Sequence, residues 1–222
     1  MRIIGHRGAK GLAPENTVVS LLKAIEHGVD EVEFDVRVAK DNVPLLHHDE
    51  TITDPSGQKL VIAEHTYVTL RRHVPNLATL AQALDAIDTK VIAHIEVKPG
   101  EPTKPIVIVL NDFIGGMYSA TDLRLASKSQ KTLRELHSAL PAVPKVVIEA
   151  WSGLRATHRA RKLDTKLLSM NQLWLWRGFI SPMAKRGWLI SAYTLNDHDK
   201  ARRWVSYGLA GVITDFPNRF EK

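Results

Sequence analysis

The stretch VVSLLKAIEHGVDEVEFDV, residues 18–36, contains the repeating unit from which the fold can be predicted. Its first part has apolar residues at i, i+3, i+4 and i+7, the spacing of one helix face: Val18, Leu21, Leu22 and Ile25. Gly28 follows at the position where helices commonly end with a residue in the left-handed conformation. Residues 30–36 then alternate polar and apolar side chains, which predicts a β-strand.

The same order of helix, glycine and strand recurs twice near the C-terminus. Residues 183–187 lead through Gly187 into a strand at 188–193, and Asn196 is predicted to cap a helix that Gly208 ends before a strand at 211–215. Further strands are predicted at 2–5, 90–97, 122–127, 143–148 and 166–169. Helices are predicted between them at 77–87, 105–113, 130–140, 152–162 and 173–185.

Eight strands that alternate with helices indicate a parallel sheet with helices packed outside it. A chain of 222 residues is large enough for a (β/α)8 barrel of the TIM type, and no low-complexity linker divides it. We therefore expect a single α/β domain over residues 1–222, with an open, doubly wound sheet as the alternative. In such a barrel the chemistry takes place at the carboxyl ends of the strands.

Composition excludes several classes of protein. The chain has no cysteine, which excludes disulfide scaffolds, thiolate metal sites and cysteine nucleophiles. No apolar run reaches the ~18 residues of a membrane span, and residues 2–5 resemble a strand rather than the start of a signal peptide. We expect a cytoplasmic monomer or homodimer without a stable membrane anchor.

The formal charge of +6 is unevenly distributed, with −3 on residues 1–111 and +9 on residues 112–222. Such an excess can attract a phosphate-bearing ligand or an anionic surface, or it can be a solvated basic face. Nucleic-acid binding would need a concentrated basic stripe or a known module, so we expect no nucleic-acid partner. Trp174 and Trp176, near Leu173 and Leu175, can form an apolar rim of a site or pack into the core, and we expect core packing.

Two predicted strands carry carboxylates near their carboxyl ends. Glu33 and Asp35 share one face of their strand, because side chains alternate, and the opposite face is apolar. Glu96 and Lys98 hold the matching place on the next predicted strand. Buried carboxylates are costly unless a cation compensates them, and oxygen ligands suit Mg²⁺ and Ca²⁺. The pattern predicts one divalent cation held by Glu33, Asp35 and Glu96.

Several histidines are candidates for proton transfer near neutral pH. His6 and Arg7 lie between two glycines where the first strand meets its loop. His47 and His48 are adjacent, so at most one of them faces a site if the segment is extended. His94 sits deeper on its strand, and we expect a hydrogen-bonded interior histidine there.

The charges of these groups indicate the charge of the ligand. Three carboxylates, one divalent cation, Arg7 and Lys98 leave a net charge of +1. A phosphodiester carries one negative charge, and phosphoryl-transfer sites neutralise its non-bridging oxygens with metal ions and cationic side chains.

Six motifs, in order along essentially the whole chain, together resemble the glycerophosphodiester phosphodiesterase family. They are His6-Arg7-Gly8-Ala9, Pro14-Glu15-Asn16-Thr17, Glu33-Phe34-Asp35-Val36, His48-Asp49-Glu50-Thr51, Glu96-Val97-Lys98 and Gly211-Val212-Ile213-Thr214-Asp215-Phe216-Pro217. The resemblance implies a TIM-type barrel that hydrolyses small-molecule glycerophosphodiesters to sn-glycerol 3-phosphate and an alcohol.

The resemblance also implies roles for single residues. Carried over by position, His6 and His48 form an acid/base pair. Glu33, Asp35 and Glu96 hold one cation, Mg²⁺ or Ca²⁺. Arg7 and Lys98 bind phosphate, and Glu15 is a further site candidate. Asn16 and Thr17 instead suit the start of the first helix, where their side chains cap free amides.

The chain departs from the family pattern at positions expected to contact the substrate. Lys128 follows Ser127 where the family usually has phenylalanine, and Tyr193 replaces a usual tryptophan. Two other functions are alternatives: a phosphodiesterase of the lysophospholipase D type that acts on lipids, and a non-catalytic barrel that binds a phosphate ester.

Overall fold

A computed structural model describes residues 1–220 of the chain. Its strands are β1 (Arg2–Gly5), β2 (Glu31–Val38), β3 (Pro44–Leu46), β4 (Thr51–Thr53), β5 (Lys59–Val61), β6 (Ile92–Val97), β7 (Leu123–Ser127), β8 (Lys145–Glu149), β9 (Leu167–Asn171), β10 (Leu189–Tyr193) and β11 (Gly211–Thr214). Its helices are α1 (Val18–Glu26), α2 (Tyr67–His73), α3 (Leu80–Ile87), α4 (Thr103–Ile114), α5 (Gln130–Ala139), α6 (Gly153–Arg161), α7 (Arg177–Lys185) and α8 (His198–Val205).

Eight parallel strands form a closed barrel in the order β1, β2, β6, β7, β8, β9, β10, β11. The barrel closes because β1 pairs with β2 on one side, at Ile4 and Glu31, and with β11 on the other, at Ile4 and Ile213. The predicted TIM-type barrel is therefore confirmed, and the open sheet is wrong. Gly28 has a φ of +69°, as its predicted place after α1 requires.

The segment between β2 and β6 is more structured than the sequence predicts. β3 pairs antiparallel with the end of β2, β4 and β5 form a separate hairpin, and α2 follows them. The three strands have only three residues each, which is too short for a periodic pattern to show.

Three predicted helix starts are wrong. The helix expected at 77–87 begins at Leu80, after its N-cap Thr79. The helix expected at 173–185 begins only at Arg177, because residues 172–174 form a 3-10 turn in which the side chain of Asn171 accepts from the amide of Leu173. The N-cap of α8 is Asp197, whose carboxylate accepts from the amide of Lys200 at 2.9 Å. Asn196, the predicted cap, has another role.

Side chains along β2 point alternately outward, to the core beneath the helices, and inward, to the interior of the barrel. Val32, Phe34 and Val36 are fully buried against the helices, and Glu31, Glu33, Asp35 and Arg37 belong to the other face. Within residues 1–220, no helix combines the length and apolar content that crossing a bilayer requires.

The deep end of the interior holds an ion-pair layer around Glu31. Its carboxylate lies 3.1 Å from guanidinium nitrogens of Arg2 and of Arg124. His94 Nδ1 lies 3.0 Å from the same carboxylate. His94 is therefore the hydrogen-bonded interior histidine that the sequence predicts.

Candidate active site

The carboxylates on β2 and β6 meet inside the mouth of the barrel. The parallel register places Asp35 opposite Glu96 and Glu33 opposite His94. Glu33, Asp35 and Glu96 are all buried, and one oxygen of each lies within 4.8 Å of the others. The geometric basis of the predicted metal site, three inward oxygens at one point, is therefore present.

The charges in this cluster are unequally compensated. Lys98 Nζ donates to Asp35 at 2.8 Å and to Glu96 at 3.0 Å, and Arg7 Nε lies 3.3 Å from Asp35. Although burial opposes ionisation, Lys98 and Arg7 hold the pKa of Asp35 at about 2. Burial, with Asp35 and Glu96 nearby, raises the pKa of Glu33 well above its usual value. A hard divalent cation fits this donor set, because it would stabilise the ionised form of all three carboxylates.

The loop after β1 is fixed against α1. Ser20 Oγ donates to the carbonyl of Arg7 at 2.9 Å and accepts from the amide of Ala9 at 2.9 Å. Gly8 has a φ of +84°, and a Cβ there would lie 2.5 Å from the carbonyl carbon of Ser20. Glycine is therefore required at this position, and the close packing directs His6 and Arg7 toward the cavity.

His6 is oriented by Asp215, the residue after β11. His6 Nδ1 lies 2.6 Å from Asp215 Oδ1. Asn196 Nδ2 donates to Asp215 Oδ2 at 2.8 Å, and Asn196 Oδ1 accepts from the backbone amide of Asp215 at 2.9 Å. Burial opposes ionisation, but the bonds from His6 and Asn196 lower the pKa of Asp215. The second ring nitrogen of His6, Nε2, is left for a ligand.

His48 faces the site and His47 does not. His48 lines the cavity, and its Nδ1 lies 2.7 Å from Asp49 Oδ1. His47 Nδ1 instead lies 3.0 Å from the carbonyl of Asp49. Burial, together with the charges of Lys98 and Arg7, lowers the pKa of His48, against the opposing effect of Asp35. Because its pKa is lowered, the His48 imidazole is neutral at neutral pH.

One cavity of about 190 Å³ brings most of the predicted site residues together. The predicted residues in its lining are His6, Arg7, Glu33, Asp35, His48 and Glu96. Lys98 instead lines a neighbouring groove that shares His48 and Glu96 with the cavity. Glu15 lies behind Arg7, with one carboxylate oxygen 2.7 Å from Arg7 Nη1 and the other 2.8 Å from Lys10 Nζ.

Lys128 and Tyr193, which both depart from the family pattern, also line the cavity. Lys128 Nζ lies 3.9 Å from Glu96 Oε1. The buried hydroxyl of Tyr193 has no hydrogen-bond partner among residues 1–220. Both groups are therefore available to a ligand in the cavity.

Sequence reasoning gave two asparagines the wrong role. Thr17 caps α1 as predicted, accepting from the amide of Ser20, but Asn16 does not act as a cap. Its side chain donates to Asp35 Oδ2 and accepts from the Asp35 amide, both at 3.0 Å. Asn196 holds Asp215 in the same two-bond manner. In sequence, an asparagine that caps a helix cannot be distinguished from one that holds a distant carboxylate, because both roles use the short side-chain amide.

The tryptophan stripe near the site is exposed, so the prediction that it packs into the core is wrong. Leu175 points inward, but Trp174 is 44% and Trp176 59% exposed. The 3-10 turn at 172–174 breaks the helical spacing that would have directed these side chains inward. They lie in the loop after β9, at the end of the barrel that holds the cavity.

The whole-chain comparisons agree with this geometry. Residues 6–219 match the model of the glycerophosphoryl diester phosphodiesterase family. A glycerophosphodiester phosphodiesterase of Bacillus subtilis is 24% identical over 99% of this chain and 85% of its own.

Solved structures share the fold. A phosphodiesterase from Oleispira antarctica, solved in complex with the product sn-glycerol-3-phosphate, is 23% identical with a TM-score of 0.87, covering 99% of this chain and 94% of that one. The glycerophosphodiester phosphodiesterase of Thermotoga maritima is 24% identical with a TM-score of 0.81, covering 98% and 96%. The family match over nearly its whole length shows that this chain belongs to the glycerophosphoryl diester phosphodiesterase family and is a phosphoric diester hydrolase.

Proposed function

We propose that this protein hydrolyses glycerophosphodiesters to sn-glycerol 3-phosphate and an alcohol, with one Mg²⁺ or Ca²⁺ bound by Glu33, Asp35 and Glu96. The observation that carries the proposal is the buried three-carboxylate cluster in the same cavity as His6 and His48. The product bound in the Oleispira antarctica relative supports the choice of substrate.

The two imidazoles are the acid/base pair of this proposal. His6 and His48 line the same cavity, and each has an aspartate at Nδ1, Asp215 and Asp49. Water, or the glycerol C2 hydroxyl through a cyclic phosphate that water then opens, attacks phosphorus while the bond between phosphorus and the alcohol oxygen breaks. Nε2 of one ring takes a proton from this nucleophile, and Nε2 of the other gives a proton to the leaving alcohol.

The cationic groups bind and neutralise the phosphate. Arg7 lines the cavity and is held by Asp35 and Glu15, which keep its pKa raised although burial opposes the charged form. Lys98 approaches the same phosphate from the neighbouring groove, and Asp35 and Glu96 keep its pKa raised in the same way. When bound, the divalent cation supplies Lewis-acid stabilisation of the charge that develops on the phosphate oxygens.

A substrate panel tests the proposal directly. Purified protein is incubated with the glycerophosphodiesters of choline, ethanolamine, glycerol and inositol, each with Mg²⁺ or Ca²⁺, and sn-glycerol 3-phosphate is measured by an enzyme-coupled assay. We expect release of sn-glycerol 3-phosphate from at least one diester. Release of the phosphorylated alcohol and free glycerol instead would overturn the proposed bond cleavage.

A diester that carries an acyl chain is a second candidate substrate. The observation that favours it is the exposed pair Trp174 and Trp176 at the cavity end of the barrel. Lysophosphatidylcholine in the same panel distinguishes the two candidates, because only the second predicts release of choline from it.

We expect Asp215→Asn to lower kcat/KM on the order of 100-fold, because an orienting carboxylate fixes the tautomer and direction of a catalytic imidazole. The measurement is kcat/KM from pH 5 to 9, with Asp199→Asn, which is exposed on α8, as the control. A lower melting temperature with kcat/KM unchanged at every pH would assign Asp215 a structural role only.

A further inference from the structure

Five large apolar side chains form an exposed patch beside the mouth of the cavity, which we call the β8–β9 rim. It consists of Trp151, Leu154, Leu173, Trp174 and Trp176, which are 44–86% exposed. The rings of Trp151 and Trp174 contact each other edge to face at 6.1 Å, joining the two loops into one surface. The other two tryptophans of the chain, Trp188 and Trp204, are buried, so exposure of indole rings is confined to this rim.

The rim lies at the carboxyl end of the barrel, where the cavity opens. Trp151 follows β8 and Trp174 follows β9. Ile148 on β8 and Ser169 on β9 line the cavity itself. Exposed apolar patches of this kind mark interaction sites more often than incidental surface.

The charge around the rim is positive. From residue 150 to residue 196 the only acidic residue is Asp164, against eight lysines and arginines. Asp164 lies between α6 and β9, at the opposite end of the barrel. Four cationic residues follow the carboxyl ends of β7, β8 and β9 and are exposed: Lys128, Lys131, Arg155 and Arg177. Two of the acidic partners nearest to them, Glu96 and Glu149, are buried in the barrel and leave the cations on the outer surface.

We propose that the β8–β9 rim docks reversibly onto the surface of a bilayer containing anionic lipids. Indole rings prefer the interface between headgroups and acyl chains, and neighbouring lysines and arginines add attraction to anionic headgroups. Apolar and cationic residues together, with no acidic residue in the two rim loops, match that surface better than a typical protein partner. Docking would direct the mouth of the cavity toward the membrane, and it goes beyond the proposed hydrolysis of soluble diesters.

Vesicle sedimentation tests the docking. The full chain is mixed with sucrose-loaded vesicles of phosphatidylcholine alone or with 30% phosphatidylglycerol, at low and at high salt. We expect sedimentation with the mixed vesicles, weakened by salt because screening reduces electrostatic attraction. The double variant Trp174→Ser/Trp176→Ser should bind at least about tenfold more weakly, since it loses two interfacial rings.

A matched control separates the rim from general exposed apolar surface. Ile108→Ser removes a side chain that is 53% exposed on α4, which packs outside the barrel, and it should bind like the unchanged protein. Circular dichroism is used to check that both variants are folded. Release of sn-glycerol 3-phosphate from a soluble diester should be unchanged in both, because the substituted residues do not line the cavity.

Three results would overturn the docking. They are no sedimentation with either vesicle, equal sedimentation of the double variant, and a concentration-dependent dimer that the double variant abolishes, which would make the rim an interface between copies. None of them affects the proposed hydrolysis, which the soluble-diester assay tests separately. Conversely, vesicle binding by a protein inactive on every diester would leave the docking in place and remove the proposed function.

Discussion

Alanine at His6 or at His48 is expected to lower kcat/KM by at least about 100-fold each, because a positioned general acid or base typically contributes about 10²–10⁴-fold. Both rings line the cavity and both have Nδ1 bonded to an aspartate. Neither substitution removes a fully buried side chain, so the fold should persist. Steady-state kinetics on the preferred glycerophosphodiester measure the effect.

His47→Ala is the matched control for this prediction. His47 is adjacent in sequence to His48 but has its ring directed to the carbonyl of Asp49, and it does not line the cavity. We expect less than about a twofold change in kcat/KM. The double variant His6→Ala/His48→Ala should have a kcat/KM no higher than that of the less active single variant. The two effects should not simply add, because the two residues act as one unit. Substantial activity in the double variant would remove the acid/base assignment.

The pH dependence of kcat/KM gives a second check on His48. Burial and the charges of Lys98 and Arg7 lower the pKa of His48, so its neutral form should persist to a pH below the usual range for histidine. Asp49→Asn should lower the pKa of His48 further, because the hydrogen bond that the His48 ring donates to the Asp49 carboxylate favours the charged ring. The other charged side chains that act on His48, those of Asp35, Lys98 and Arg7, are the same in this variant, so the change in pKa reports on Asp49 alone.

The fold was predictable because its signals are local and repeated. Three of the barrel units combine a helical face, a left-handed glycine and a strand, at Gly28, Gly187 and Gly208. The parity of Glu33 and Asp35 on β2 is a property of any strand, so their inward direction followed once the opposite face was apolar. Their meeting with Glu96 depends on the register between β2 and β6, which the matching places of the two motifs already suggested.

The parts that sequence reasoning missed depend on distant contacts. Asp215 and His6 are 209 residues apart and meet only because β11 closes the barrel against β1. Asp215 was predicted only as the last residue of the final strand and as part of the closing family motif, and neither observation assigned it a partner. Asn16 and Asn196 stand beside helix starts, and nothing local distinguishes a cap from an amide that holds a distant aspartate. The exposure of Trp174 depends on a single 3-10 turn.

Removal of divalent cations is expected to abolish the activity and lower the melting temperature. At a cation concentration near 100 times the dissociation constant, binding stabilises the folded protein by about 2.7 kcal/mol. For a chain of this size that corresponds to a shift of roughly 5–10 °C. The measurements are diester hydrolysis and thermal unfolding after dialysis against EDTA, followed by addition of Mg²⁺ or of Ca²⁺.

Glu33→Gln should affect the melting temperature differently with and without added cation. The variant loses a charged ligand, so added cation should no longer raise its melting temperature, and kcat/KM should fall by at least about 1000-fold because the cation stabilises the transition-state charge. Without cation, however, it should melt at or above the unchanged protein, because burial and repulsion from Asp35 and Glu96 disfavour the charge on Glu33. Glu50→Gln, with its side chain 80% exposed beside the site, is the control and should keep the cation-induced shift. A Glu33→Gln protein that is active in EDTA would contradict the cation site, whereas one that unfolds at a much lower temperature would show that Glu33 has a structural role instead.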